Sequence, residues 1–411
     1  MKIGFFTDRF YPQVDGVAVS VDLFARELRA LGHEVVIFAP EAPHKLRQDP
    51  GYVVRFRSFP SIWYEDYRDT MPFTPAAIRK VLEHDLDIIH IHTPAQIGML
   101  GVRIAKSNNI PTVVTHHTDI EQYVEVYKRA MLGILAGVFI APALMKSSDQ
   151  YKNILPSLKP KRSLKRWNRQ IIRDGVALFY QNCDLVIAPS KKMKQVLQSY
   201  GLKKHIHILP TGIDVDEATR GDNFNPRYHF SLPENSTLLL FVGRLGQEKN
   251  IQLILRSMPK ILDKNPGTNL LIVGDGPYAH DLRDQAKELG ISTNVYFTGM
   301  LDRPKTFACF RAADVFCFAS TTDTQGLVLN EAAIEGKPIV YIDDEISPLL
   351  KDGQSAIRAK NNVTSFAAAC NKLISHPELA NKLGKHAKKL AEHITIQKQA
   401  EKLIGLYRSL L

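Results

Sequence analysis

Two kinds of apolar pattern alternate along this chain. Short, nearly continuous apolar runs read as strands covered on both faces. Longer stretches with apolar residues three and four apart read as helices. Lys2–Thr7 is the first such strand, and Val17–Leu31 the first helix, with Val21, Phe24, Leu28 and Leu31 on one stripe and Gly32 as its stop. His33–Ala39 is the next strand, so the chain opens with a βαβ unit and predicts a parallel sheet. The alternation continues through strand Asp87–His92, helix Ala95–Asn108, strand Ile110–Thr115, strand Asp184–Pro189, helix Lys191–Tyr200 and strand His205–Leu209. A polar stretch, Asp214–Glu234, carries Pro226 and Pro233 and reads as a linker. Beyond it come strand Leu238–Val242, a helix from Asn250, strands Asn269–Val273, Asn294–Thr298 and Asp314–Ala319, a helix from about Gly326, strand Lys337–Ile342, and helices over 364–395. The fold class is therefore α/β with doubly wound parallel sheets. A chain of 411 residues exceeds one ordinary core, which predicts two domains. Their expected bounds are 1–213 together with 396–411, and 214–395. The returning segment, Gln397–Leu411, has Ala400, Leu403, Ile404 and Tyr407 on one stripe and is expected to pack on the first domain.

Residues 120–180 break the alternation. Ala130–Met145 is an apolar stretch with glycines and Pro142, read as an apolar hairpin and shorter than the ~20 residues a spanning helix needs. A basic run follows, and here charge changes the picture. The formal net charge is +11, and residues 146–173 carry much of the excess. Lys161, Lys165, Arg169 and Arg173 recur every four residues, with Leu164, Trp167 and Ile171 on another face. A basic amphipathic helix beside an apolar hairpin suits an anionic membrane surface. The membrane-binding candidates are Lys161, Arg162, Lys165, Arg166, Trp167, Arg169 and Arg173. The competing reading is a solvated helix packed on its own domain. Nucleic acid is disfavoured, because the basic residues cluster in one segment and do not line an aromatic groove. The remaining composition is globular, at 45% hydrophobic and 23% charged, with no segment that reads as a signal peptide. Cys183, Cys309, Cys317 and Cys370 lack CxxC spacing and read as buried thiols in a reducing compartment.

Two strand–loop–helix units carry the candidate chemistry. In the first, Gly243-Arg244-Leu245-Gly246-Gln247-Glu248-Lys249-Asn250 follows a strand. In the second, Ser320 to Glu331 follows another, with Asp323, Gly326, Leu327 and Glu331 near the helix start. Open α/β sheets bind ligands at the carboxyl ends of strands, and a helix start presents free N–H groups and positive dipole, which suit a diphosphate. Arg244 and Lys249 add positive charge, and Asp323 and Glu331 offer acceptors for sugar hydroxyls. Gly16, in the first loop, is open to two readings: a close approach to ligand, or a plain turn. His90, His92, His116 and His117 include no carboxylate or cysteine that would complete a metal set, so no metal site is expected. Asp214-Val215-Asp216 has the look of a metal–nucleotide motif but lies in the linker and is set aside.

Gly243-Arg244 followed by Glu248-Lys249-Asn250, then Gly274-Asp275-Gly276-Pro277, then Asp323 and Glu331, resembles the retaining family-four glycosyltransferases of GT-B architecture. Tyr11-Pro12 with Asp15-Gly16-Val17, Thr115-His116-His117-Thr118, and Pro210-Thr211-Gly212-Ile213-Asp214 fit the same family. Phe179 to Asp184 through Ala188-Pro189-Ser190, with the basic helix before it, is similar to bacterial diacylglycerol glucosyltransferases, and more distantly to phosphatidylinositol mannosyltransferases. The resemblance implies two Rossmann-like domains facing across a cleft that closes over the donor. It implies that Arg244 and Lys249 hold the donor diphosphate, that Glu331 binds the ribose, and that Asp323 meets hydroxyls of the transferred sugar. Backbone N–H groups at Gly326 and Leu327 would assist, His117 would be the crevice histidine, Gly16 the first-loop glycine, and Leu301 a backbone contact to the base. On this basis His117, Arg244, Lys249 and Asp323 are the catalytic candidates. The family usually has glutamate where Asp323 stands, a shorter arm by one methylene.

The implied activity is retaining transfer of a hexose, glucose from a UDP donor, to a membrane lipid, diacylglycerol. The implied partners are the nucleotide sugar, the lipid acceptor and an anionic surface, with no cofactor and no metal requirement. The expected location is cytoplasmic, peripheral on the inner face of the cell membrane. Alternatives are a GDP-mannose donor, a non-lipid acceptor, a nucleotide-sugar epimerase, a glycogen-type phosphorylase, and a non-catalytic sugar-nucleotide-binding protein.

Overall fold

The computed structural model describes residues 1–41, 49–61, 68–126, 130–147, 163–220, 223–343 and 345–411. They form two compact units: Met1–Thr211 with Gln399–Leu411, and Gly212–Lys398. The first unit contains strands β1 (Lys2–Phe6), β2 (Glu34–Pro40), β3 (Val53–Phe56), β4 (Ser58–Pro60), β5 (Arg68–Thr70), β6 (Ile88–Ile91), β7 (Thr112–Thr115), β8 (Leu185–Ala188) and β9 (Ile206–Ile208). Seven of them make one sheet in the order β3-β2-β1-β6-β7-β8-β9, and β4 and β5 form a separate antiparallel pair. Every pairing in the large sheet is parallel. The order reverses between β1 and β6. Loops that leave those two strands diverge there, which is where such sheets bind ligands.

The second unit contains β10 (Thr237–Val242), β11 (Thr268–Val273), β12 (Val295–Gly299), β13 (Val315–Phe318), β14 (Ile339–Tyr341) and β15 (Ile357–Arg358), in the parallel order β12-β11-β10-β13-β14-β15. Its reversal lies between β10 and β13, the two strands followed by the Arg244–Lys249 and Asp323–Glu331 loops. Successive residues of β10 enter different cores. Leu239 and Phe241 join Leu270, Ile272 and Cys317, whereas Leu238, Leu240 and Val242 join Leu271, Val273 and Phe316. Both faces are thus covered, which is why the strand reads as a continuous apolar run.

Three features differ from the sequence expectation. The apolar stretch is not a hairpin but one helix, Ala130–Leu144, that contains Pro142 near its end. Pro142 has no N–H to donate to Val138 O, so one bond is missing from the last turn, and the helix ends two residues later. The basic helix begins at Leu164, capped by the Ser163 side chain, and Lys161 and Arg162 lie outside the described residues. Strands β3 and β15 sit at sheet edges and are too short to announce themselves by pattern. The final helix, Ile396–Arg408, places Tyr407 Oη 2.6 Å from His90 Nδ1. At its start Ile396 N–H donates to Ile213 O, and a Cβ on Gly212 would lie 2.4 Å from Ile396 Cα. That position has no room for a side chain.

Candidate active site

In the second unit, two glycine-bearing loops are locked together before any charged group is placed. Leu245 N–H donates to Asp275 O, and Tyr278 N–H donates to Leu245 O, both at 2.9 Å. Gly274 has φ +130°, and a Cβ there would lie 2.0 Å from Gly243 O. Glycine is required because two backbones meet. Arg244, half-buried, is carried on this clamped loop. A short 3-10 turn, Gln247–Lys249, follows, and Asn250 closes it at φ +54°. The Asn250 amide donates to Ala319 O at 3.1 Å, while Thr322 Oγ1 donates to Glu248 O at 3.2 Å. The loops after β10 and β13 are therefore tied to each other.

That tie brings Lys249 and Asp323 together. Lys249 Nζ lies 2.5 Å from Asp323 Oδ1, with side-chain exposures of 21% and 18%. The helix Leu327–Ile334 opens at Gly326, whose φ of +65° is left-handed, and no side chain caps its first turn. Leu329 N–H already donates to Gly326 O, and Leu327 and Val328 lead the helix with N–H groups of the kind that suit an anion. Glu331, on the same helix, is 7% exposed. Arg303 Nη1 donates to Glu331 Oε1 at 2.6 Å, and Oε2 is buried with no hydrogen-bond partner among the described residues. Leu301 follows Gly299 and packs against the neighbouring core. Arg303 is a member of this constellation that the sequence reading does not single out. Nothing in its local pattern signals a role, because its partners lie far away in sequence.

In the first unit, the predicted residues gather at the β1/β6 reversal. Gly16 is the first residue of helix Gly16–Ala30 and is exposed; Asp15 caps that helix and holds Arg9 Nε at 2.7 Å. His117 follows β7, with Nε2 3.0 Å from His92 Nδ1 and the two rings stacked. His90 bonds Thr115 and Tyr407, and His116 bonds Tyr180. Burial holds all four imidazoles neutral: His90 and His92 fall well below the usual value, His116 to about 3, and His117 to about 4 with Asp15 pulling weakly the other way. Neutral, mutually bonded rings act as hydrogen-bonding groups. No cluster of metal-ligating type occurs among the described residues.

The basic helix, Leu164–Gln181, is paired more than the sequence suggests. Lys165 meets Glu125 at 3.3 Å, Arg169 meets Glu121 at 3.0 Å and Glu125 at 2.5 Å, and Arg173 meets Glu121 at 2.9 Å. Trp167 is half-buried and packs on the domain core, while Arg166 is exposed. The helix lies against Ala130–Leu144 closely enough that a Cβ on Gly175 would be 2.4 Å from Val138 Cγ2. Helix Ala130–Leu144 in turn exposes Leu132, Ala136, Phe139 and Ile140 on one stripe. No helix among the described residues is long and apolar enough to cross a membrane.

Comparison with known proteins agrees with this geometry. Residues 14–217 match Glycosyltransferase Family 4, and residues 225–390 match Glycosyl transferases group 1. The chain is 32% identical over 357 residues to the alpha-monoglucosyldiacylglycerol synthase of Streptococcus pneumoniae, covering 84% of this chain and 73% of that one. It is 28% identical to the phosphatidyl-myo-inositol mannosyltransferase of Mycobacterium tuberculosis, covering 86% and 81%. Among solved structures it resembles HepE of Anabaena in complex with UDP, with a TM-score of 0.71 at 18% identity over 100% of both chains. Sucrose-phosphate synthase of Thermosynechococcus elongatus gives the same TM-score and identity, covering 100% of this chain and 98% of that one. Two parallel-sheet units, each with its loops gathered at a strand-order reversal, and the match of both halves to glycosyltransferase families lead to one conclusion: the chain is a family 4 glycosyltransferase of GT-B architecture.

Proposed function

We propose that this enzyme transfers glucose from UDP-glucose to diacylglycerol, with retention, at an anionic membrane surface. The observation that carries the donor half is the Lys249–Asp323 pair beside the uncapped start of helix Leu327–Ile334. Departure of a diphosphate develops negative charge on its bridging oxygen. Arg244, Lys249 and the leading helix N–H groups are fixed donors for that charge, the kind of preorganised stabilisation that dominates many enzymatic rate enhancements. In this reading no metal ion is needed, and activity should survive a chelator. Asp323 would exchange its lysine for sugar hydroxyls as donor enters. Glu331 would accept from the ribose. His117, neutral and oriented by His92, would hydrogen-bond the transferred sugar. No covalent two-carboxylate step is invoked; attack on the same face is assisted by the leaving phosphate.

The acceptor half draws support from the relatives named as diacylglycerol glucoside synthases and from the exposed stripe on helix Ala130–Leu144. An apolar stripe of this kind suits a helix that lies in the headgroup boundary on the cytoplasmic face. Since Glu121 and Glu125 neutralise Arg169 and Arg173, apolar contact would supply more of the attachment than charge. Relatives that carry mannosyltransferase names favour a second reading, a GDP-mannose donor with a phosphatidylinositol acceptor. A panel of UDP-glucose, UDP-galactose and GDP-mannose, each with diacylglycerol or phosphatidylinositol in mixed micelles, separates them. The expected product is glucosyl-diacylglycerol from UDP-glucose alone. Turnover only with GDP-mannose would replace this reading by the second.

A further inference from the structure

Glu331 has two oxygens in unlike surroundings. Oε1 accepts from Arg303 Nη1 at 2.6 Å, whereas Oε2 is buried and has no partner among the described residues. The same guanidinium donates through Nε and Nη2 to Glu217 Oε2, at 3.2 and 3.1 Å. It also lies over the Phe307 ring, 5.0 Å from its centroid. Arg303 is thus held from three sides, and the fork geometry of a guanidinium fixes the orientation of each carboxylate it meets. Burial works against its charge, and Glu331 with Glu217 more than offsets that, so its pKa rises. Arg303 stands two residues after Leu301, so the loop expected at the base ends on the group that grips the expected ribose acceptor.

A buried carboxylate oxygen left without a donor is costly, and such groups in native proteins call for an explanation. Here the explanation is a hydroxyl supplied by the ligand. We infer that Arg303 is a positioning residue for donor recognition: it holds Glu331 Oε1 so that Oε2 faces a ribose hydroxyl, and Glu217 keeps the guanidinium in place. The inference rests on the reading that Glu331 meets the ribose. Its consequence is selectivity for ribonucleotide over deoxyribonucleotide donors. A site built around a hydroxyl rejects an analogue that lacks it, because its own polar atom is then buried unpaired. Without Arg303, Glu331 could turn away, and the ribonucleotide would lose its advantage while the deoxyribonucleotide lost little.

The experiment is a calorimetric titration of the full chain with UDP and 2′-deoxy-UDP, and with UDP and 3′-deoxy-UDP, repeated with the guanosine series. Wild type should prefer the ribonucleotide by roughly 10- to 100-fold, the equivalent of one unpaired buried group. Arg303→Met should collapse that ratio towards unity by weakening ribonucleotide binding, and Arg303→Lys should restore part of it. Should Arg303→Met fail to fold, Arg303→Lys and Glu217→Gln carry the same comparison, with reduced ratios expected. A variant ratio equal to wild type, while Glu331→Ala abolishes it, would overturn the role of Arg303 alone. A ratio that survives Glu331→Ala, or no preference in wild type, would overturn the ribose reading and the inference with it. Absence of binding by every nucleotide would do the same.

Discussion

Replacement of Lys249 by alanine removes the cation nearest the expected leaving group. It also removes the ion pair with Asp323, whose Oδ1 sits 2.5 Å from the lysine. The pair is only partly withdrawn from water, at 21% and 18% side-chain exposure, so its share of stability lies near the upper end for accessible pairs, about 1 kcal/mol. In a unit of this size that moves the melting temperature by about 2–4 °C. The effect on turnover should be much larger. A unit charge about 4 Å from a developing charge contributes ~4 kcal/mol at an effective dielectric of 20. Loss of a comparable fixed donor costs other enzymes about 10²- to 10³-fold in kcat. Lys249→Ala should therefore lower kcat/KM by about that factor with a nearly intact melting transition, and Lys249→Arg should recover part of it. The assay follows radiolabelled sugar into chloroform-extractable lipid at several donor concentrations, beside a thermal melt of each variant. An alanine variant within a few-fold of wild type, with the same melting temperature, would refute the charge-stabilisation argument.

Other consequences can be checked with simple variants. Gly326→Ala forces a side chain into a left-handed conformation, with its Cβ 2.8 Å from Leu329 Cδ1, so it should cost about 1–2 kcal/mol in a denaturant melt and reduce donor affinity. Acid should destabilise the protein early. His90, His92 and His116 are buried neutral and their pKa values are lowered, so stability they hold near neutrality is lost as pH falls below the unfolded value of 6.5. Asp8 runs the other way, since burial raises it to about 6 and its protonation favours the fold between that value and 3.8. With His117, also lowered to about 4, the four imidazoles outweigh the one carboxyl, so stability should fall as pH drops from 6 towards 5, measurable by urea titration; a flat profile would contradict the neutral assignment. Leu132→Glu combined with Phe139→Glu should weaken sedimentation with anionic liposomes by at least ~100-fold, since each apolar side chain contributes about 1.5–3 kcal/mol when withdrawn from water. Unchanged sedimentation would remove helix Ala130–Leu144 from the membrane reading.

The sheets were legible because a strand covered on both faces reads as an apolar run whatever surrounds it. Leu238–Val242 and Asp314–Ala319 show this, and both loops of the donor site follow from where those runs end. Pairings between distant segments were not legible. Glu121 and Glu125 lie far in sequence from Arg169 and Arg173, so the basic stripe read as freer than it is. Lys249 and Asp323 were each expected to meet ligand, but no local rule pairs two residues so far apart in sequence. Arg303 was missed for the same reason, since an arginine at a helix start carries no signal until Glu217 and Glu331 converge on it. The glycines and Pro142 in Ala130–Leu144 suggested a turn, yet the apolar neighbours favoured continuous helix.

The most direct test of the donor site is a crystal structure of the protein soaked with UDP-glucose. The expected density places the diphosphate within hydrogen-bond reach of Arg244, Lys249 and the N–H groups after Gly326, the ribose on Glu331, and Lys249 released from Asp323. Nucleotide bound elsewhere, or bound there with the Lys249–Asp323 pair intact and the phosphates untouched by either cation, would contradict it.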